Sequence, residues 1–575
     1  MVYCGKPSKG CQMCKTRRIK CDEARPFCNQ CTKSRRECPG YKDPFDLVFR
    51  NETQATERRA RKATAKAASL KTGGKDNEFQ IITGAPSSSH SSQTTPTSSI
   101  ATSPTQTVAE RARCHFISNF ILIPPQGTER GYFEFVVPIL NNDPPVPFKL
   151  AFEACSLASL GLRVGHGREF EKQALSKYTA ALAAVSGAIR DPIESKWDAT
   201  VAAVLLLGLF ENITARQVGM LAWGTHTEGA IQLVKGRGRE QFQTKIGRDL
   251  FTCVRTQMLI FAFSSGKPLP LGAEFWIRGA AKDKFATVCY HITMRTSELK
   301  TEANRLLMTL DRKPENIGII MDIIKKCQMR DHEFVQWSKN LPEYFEAKTT
   351  IWEDNVPNGD FRKAEVYPGR VDAFVDMWVA TIWNSMRCGR IVLASIIVRC
   401  AAWVCYPVDY RTTPEYATYS RISAELITDI IASIPFCLGW FASRKHLLDK
   451  NDLTGYACGE DDAPKGLAGY LVTWPLSCVL TQDYSTDNQR AWVQGRLEAI
   501  SSQLGMRCAK MLTHMHLRVP SMLIHRDMMS ETGMTSSTVD LDKILASRAV
   551  PPSGLSVSPS AQRAIVPVVK QETFH

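Results

Sequence analysis

A chain of 575 residues exceeds what one hydrophobic core usually organises, and 44% hydrophobic with 22% charged residues excludes a wholly unstructured or fibrous protein. The formal net charge of +15 is concentrated at one end: residues 1–72 hold 18 Lys/Arg against 7 Asp/Glu, whereas the rest of the chain holds 54 against 50. Such a field attracts a polyanion, with nucleic acid the first reading and an acidic membrane surface its rival.

The opening MVYCGKPSKG lacks an apolar leader run, so the expected compartment is a reducing one, where disulfides do not persist. Cysteines there act as metal ligands, redox groups or small core residues. Of 19 cysteines, seven fall within the first 38 residues. The other twelve, Cys114, Cys155, Cys253, Cys388 and Cys508 among them, stand mostly singly among apolar neighbours and are expected in the core.

Within residues 11–38, CQMCKTRRIKCDEARPFCNQCTKSRREC, the thiols repeat. Cys11, Cys14 and Cys21 have gaps of two and six residues, and Cys28, Cys31 and Cys38 copy them after six more. A two-residue gap sets two thiols about one helical turn apart, close enough to share a metal. Structural zinc takes four ligands, so six sulfurs serve two ions only if two of them bridge. The pseudo-symmetry nominates Cys11 and Cys28, each also the leading thiol of a helix start, where peptide N–H groups favour thiolate. Cys4 falls outside the repeat and is expected to be a free thiol. With few apolar residues, Ile19 and Phe27 among them, the segment cannot fold on burial alone, and metal must stabilise it.

This stretch resembles the fungal binuclear zinc cluster DNA-binding domain, in its six ligand positions, its two-residue and six-residue gaps, the basic Lys15, Arg17, Arg18 and Lys20, Asp22 after the third cysteine, and Pro26 in the joining loop. The resemblance implies two zinc ions on Cys11, Cys14, Cys21, Cys28, Cys31 and Cys38. It also implies that the first short helix enters the major groove of double-stranded DNA, with Arg17 and Arg18 reading a CGG-like triplet. An arginine fork suits guanine because it can donate to both O6 and N7. Lysine is the more usual residue at the position of Arg18. Lys15, Lys20, Lys33, Arg35 and Arg36 are expected on phosphates, which fix register without reading sequence.

Residues 1–45 are thus expected to form the zinc cluster domain and 46–107 a basic, then Ser/Thr/Pro-rich linker. The segment Pro39 to Thr53 resembles the stretch after the cluster in one large subgroup of these regulators. The basic run 54–71 fits a nuclear-import signal, a phosphate-contacting extension or a solvated helical face. It carries no heptad of Leu or Ile, so monomeric binding and a homodimer held by the large domain both stay open. The tract 83–107 cannot bury apolar surface and is expected to be a disordered tether, with Thr95 and Ser103 in Thr-Pro and Ser-Pro dipeptides.

Residues 108–529 read as an all-α domain, a large bundle or solenoid-like array. Leu175, Tyr178, Leu182, Val185 and Ile189 make one helical stripe, Leu299, Ala303, Leu306 and Leu310 a second, and Ile317, Ile320, Ile324 and Cys327 a third. The apolar segment 371–405 carries Asp372, Asp376, Arg387, Arg390 and Arg399, and so predicts a buried helix rather than a membrane span, while 466–482, which contains Trp474-Pro475, reads as a buried core segment. Stretches at 219–238, 383–391, 471–476 and 492–509 are similar to the fungal-specific regulatory domain that accompanies the cluster.

No GxxxxGK[ST], GxSxG or HExxH pattern occurs in this region, and no enzymatic activity is expected. His226, at helical spacing from Trp223, reads as a satisfied core histidine. His514 and His516, two apart, do not share a helix face. The tail 530–575 returns to a disordered, Ser/Pro-rich composition, with an acid-hydrophobe segment at 539–545 and Lys570 in an apolar-Lys-x-Glu sumoylation pattern. The expected whole is a nuclear transcription regulator acting through the transcription machinery, an activator by resemblance. A repressor using the same DNA module is the first alternative, and a chromatin-targeted metabolite-binding protein or enzyme the second.

Overall fold

The computed structural model describes residues 11–17, 19–24, 27–36, 38–39, 106–123, 130–164, 167–215, 219–277, 283–447 and 465–529. The linker between 40 and 105, the tail from 530, Cys4, Thr95, Ser103 and Lys570 lie outside these residues. The chain separates into two compact units, Met1–Ile100 and Ala101–His575.

In the first unit, α1 (Gln12–Thr16) and α2 (Asn29–Lys33) are five residues each. Isolated helices of this length do not persist in water, so they depend on what their side chains hold.

The second unit is a helical body. Its first half runs α3 (Val108–Phe120), α4 (Val136–Asn141), α5 (Val146–Val164), α6 (Gly167–Arg190), α7 (Asp198–Thr214), α8 (Gly219–Arg237), α9 (Lys245–Ser265) and α10 (Gly272–Ile277). Then come α11 (Lys284–Thr309) and α12 (Pro314–Lys339), the strands β1 (Lys348–Glu353) and β2 (Gly369–Ala373), and α13 (Met377–Cys405). Helices α14 (Pro414–Cys437), α15 (Gly466–Thr481), α16 (Asp487–Gln503), α17 (Cys508–Leu512) and α18 (Ser521–Met529) complete it.

Helix starts follow the local chemistry. Thr107 and Glu110 form a capping box at α3, and Thr486 and Gln489 another at α16. Asp283, Asp376 and Thr413 cap α11, α13 and α14 with their side chains, and Pro314 and Pro414 sit in first turns, where no amide hydrogen is needed.

Two helices organise the body. Almost every residue of α7 is buried, as expected of a helix apolar all round, and it lies against α5, α6, α8, α9 and α17. Helix α13 packs against α11, α12, α14, α15 and α18. It is long and apolar enough to cross a membrane by composition, yet most of it is inside the body and its charges are paired there. Arg390 grips Asp331 with two bonds of 2.6 and 3.2 Å. Arg399 grips Asp527 of α18 at 2.9 and 3.1 Å and Asn304 of α11 at 2.7 Å.

The structure corrects several expectations. Segment 371–405 is not one helix, because Val371–Ala373 pair with β1 and the Asp376 carboxylate accepts the Val379 amide, starting α13 only there. The antiparallel β1–β2 pair therefore interrupts the all-α pattern. In α6 the buried residues are Ala174, Tyr178, Ala181, Val185 and Ala188, while Ile189 is exposed. That face is turned one residue from the expected stripe, with Ala174, Ala181 and Ala188, seven apart, taking inward positions. Ile317 is likewise exposed, whereas Ile320, Ile324 and Cys327 are buried. Cys114 is exposed, since α3 turns Ala112, Phe116 and Phe120 inward; Cys155, Cys253, Cys388 and Cys508 are buried.

Candidate zinc centre and nucleic-acid interface

The sequence repeat is a structural repeat with a 17-residue offset. The Cys11 sulfur accepts the Cys14 amide at 3.4 Å, and the Cys28 sulfur accepts the Cys31 amide at 3.4 Å. The Arg17 amide bonds Met13 at 3.1 Å as the Ser34 amide bonds Gln30 at 3.3 Å. Ile19 bonds Cys14 at 3.1 Å as Arg36 bonds Cys31 at 3.0 Å. Each half is thus a cysteine-led helical turn followed by a return, and the bonds at both helix starts point N–H dipoles at sulfur.

The sulfurs gather in two overlapping sets, Cys11, Cys14, Cys21 and Cys28, and Cys11, Cys28, Cys31 and Cys38, with all members of a set within 4.8 Å of one another. Nearest separations are 3.7 Å for Cys11–Cys28, Cys11–Cys31 and Cys14–Cys28, and 4.0 Å for Cys14–Cys31. A disulfide would need about 2 Å, whereas sulfurs about 2.3 Å from a tetrahedral zinc lie roughly 3.8 Å apart. The geometry fits two four-coordinate ions, and the two shared sulfurs are those of Cys11 and Cys28.

Electrostatics also calls for cations. Burial pushes the Cys14 thiol up to about 12, and burial pushes Cys28 up further still. At Cys21 burial also acts upward, but hydrogen bonds from the Cys11 and Glu23 amides outweigh it and bring the thiol to about 7. Thiolates crowded in this way need a divalent ion to stabilise their charge. Five of the six cysteines are buried, while Ile19 and Phe27 are exposed, so these two apolar residues build no core for the unit.

Around the sulfurs the surface is cationic. Arg17, Lys20, Lys33, Arg35 and Arg36 are exposed. Lys15 lies within α1, although its side chain falls outside the described residues, as does Arg18 altogether. The Asp22 carboxylate accepts the Asn29 amide at 3.0 Å and so braces the start of α2. A contact that sequence reasoning missed joins the halves: Arg17 Nη1 donates to Ser34 Oγ at 3.0 Å. Arg17 and Ser34 are equivalent positions of the repeat, but spacing alone does not tell that their side chains meet.

Among the described residues of the body, no further group of His, Cys, Asp and Glu gathers in this way. His226 Nε2 meets the Tyr178 hydroxyl at 3.2 Å, and that hydroxyl donates to Glu211 at 2.5 Å. Burial lowers His226 to about 4, which suits the satisfied, neutral core histidine expected there. The Trp223 side chain lies outside the described residues. His514 and His516 are exposed and follow the end of α17.

Fold and site together define a zinc-cluster, DNA-binding class of regulator: a metal-held unit with a basic surface, joined in one chain to a helical body. Residues 9–47 match the fungal Zn(2)-Cys(6) binuclear cluster domain, and the relatives this chain is similar to are named as fungal transcription factors and transcriptional regulatory proteins. The chain is 24% identical over 334 residues to the transcription factor dbaG of Emericella nidulans, covering 58% of this chain and 74% of that one. That span is longer than the amino-terminal region and tail combined, so it includes part of the helical body.

Two further likenesses are short. The transcriptional regulatory protein moc3 of Schizosaccharomyces pombe is 58% identical over 41 residues, 6% of this chain and 8% of its own. The transcription activator AMTR1 of Alternaria alternata is 44% identical over 50 residues, 8% of this chain and 6% of its own. No solved structure matches the chain.

Proposed function

We propose that the protein is a nuclear activator of transcription that binds double-stranded DNA through residues 11–38, with its helical body carrying the regulatory part. The observation that carries the reading is the pair of four-sulfur sets sharing Cys11 and Cys28 inside a shell of exposed arginine and lysine. Two divalent ions on six thiolates leave a core of net −2, which the surrounding cations reverse at the surface. In this reading Arg17 and Arg18 donate to guanine in a CGG-like triplet, and Lys15 and Lys20 hold phosphates. Activation is supported by the resemblance of the cluster and by the name of one relative, and the chemistry requires no catalytic group.

The test is site selection from random duplexes by the purified full chain, followed by genome-wide mapping and a reporter. Enrichment of a CGG-containing site, lost on zinc removal, with reporter output raised by the body, is the expected result. Enrichment of no sequence would overturn the DNA reading, and a lowered reporter would replace activation with repression.

A further inference from the structure

The two halves of the zinc unit are equivalent in backbone but not in side chain. Position 17 of the first half is arginine, and its counterpart 34 in the second is serine. These two side chains meet, Arg17 Nη1 on Ser34 Oγ at 3.0 Å. We infer that Ser34 is a positioning residue for base reading: it anchors the Arg17 guanidinium so that its remaining donors meet guanine in a fixed orientation.

The hydroxyl is well suited to this. A serine has one proton to give, and the backbone carbonyls that take it are Gln30 at 2.8 Å and Cys31 at 3.0 Å. Its lone pair therefore faces Arg17. Ser34 is also the residue that ends α2, its own amide bonded back to Gln30, and Cys31 in the same turn is one of the buried sulfurs. The anchor is thus rigid through the metal cluster. A free arginine samples many rotamers, whereas one held at Nη1 keeps Nη2 and Nε available as a fork for O6 and N7. The second half, on this view, serves the first by holding its reader in place.

The inference rests on the reading of Arg17 as a base contact, and the experiment separates the two. Full-length protein carrying two zinc ions is compared as wild type, Ser34→Ala, Ser34→Thr, Arg17→Ala and the Ser34→Ala/Arg17→Ala double variant. The probes are the selected duplex and versions substituted at each guanine. Arg17→Ala identifies the guanine whose discrimination it removes.

Ser34→Ala is expected to keep both zinc ions and its affinity for unrelated duplex while losing about tenfold of the discrimination at that guanine. Ser34→Thr should restore discrimination, and Ser34→Ala should add nothing in the Arg17→Ala background. Unchanged discrimination in Ser34→Ala, or an equal loss without Arg17, overturns the role of Ser34. Loss of a zinc ion in Ser34→Ala assigns the residue to the fold and also overturns it. Selective wild-type binding that Arg17→Ala leaves untouched overturns the reading of Arg17 itself, and the anchor with it.

Discussion

Cys28 shows how one sulfur takes on several structural tasks. It caps α2, accepts the Cys31 amide at 3.4 Å, and belongs to both four-sulfur sets. Cys21 belongs to one set only. Substitution of Cys28 by Ser is therefore expected to remove both ions at once, as read by native mass spectrometry of the full chain. Cys21→Ala directly removes a ligand of one ion and is expected to unfold residues 11–38 and abolish DNA binding, because metal contributes on the order of 10–16 kcal/mol to such small zinc domains. A Cys28→Ser protein that retains either ion fully would show that the sulfur is not shared. The gathering of the six sulfurs into two sets that share Cys11 and Cys28 was legible from the repeat, since a two-residue gap on a helical turn converts into a distance and the pseudo-symmetry nominates the shared pair. Ser34 was not legible in the same way, because a single hydrogen bond leaves no spacing pattern.

Elements of the body were legible where apolar residues recur at helical period, as in α11, whose Leu299, Ala303 and Leu306 are buried. They were misjudged where small residues carry the contact. Ala174, Ala181 and Ala188 form the inward face of α6, and an alanine stripe gives little hydrophobic signal beside leucine and isoleucine. The β1–β2 pair was hidden because only Asp376 separates the apolar Ala373, Phe374 and Val375 from α13, and one carboxylate there reads as a helix charge until its capping bond to Val379 is seen.

The charges of α13 were noticed in the sequence, but their partners lie far along the chain: Arg399 pairs with Asp527, 128 residues on. Both side chains are almost fully buried, at 1% and 4% exposure. Asp527→Ala would leave the guanidinium with Asn304 as its remaining side-chain partner and is expected to cost about 3–5 kcal/mol. Thermal unfolding would show it, together with faster proteolysis around α18. Arg362 and Glu498, an exposed pair, should matter by less than about 1 kcal/mol when either is replaced by Ala. Equal effects at the two sites would contradict the distinction by burial.

For the whole molecule, the two compact units have separate sources of stability, metal in one and a continuous apolar core in the other. A zinc chelator is therefore expected to abolish DNA binding while leaving most of the helical circular dichroism intact. Collapse of that signal on chelation would mean the body also depends on metal.

Acid should act on the body instead. Burial holds His226 at about 4, and burial, with Arg163 and Lys465 nearby, brings His115 to about 4 as well, against an ordinary value of 6.5. Between those values the unfolded chain binds protons that the folded chain refuses, so the stabilising contribution is full above pH 6.5 and falls as pH drops toward 4. From pH 7 to 5 His226 alone should remove about 2 kcal/mol, with His115 acting in the same direction. Urea unfolding at the two pH values measures this, and His226→Gln should flatten the dependence. An unchanged slope would place the histidine in a protonatable setting.

The capping box at Thr107 and Glu110 gives the body a built-in beginning. Because the Thr107 hydroxyl accepts the Glu110 amide and the Glu110 carboxylate accepts the Thr107 amide, this start signal is contained within residues 107–110. A fragment cut at 106 keeps this start signal, whereas one cut at 108, just where the helical pattern begins, discards it. Grafts of the body onto a foreign DNA-binding module should accordingly be joined before Thr107, and lengthening or shortening the tether ahead of that threonine should leave the body's melting temperature unmoved.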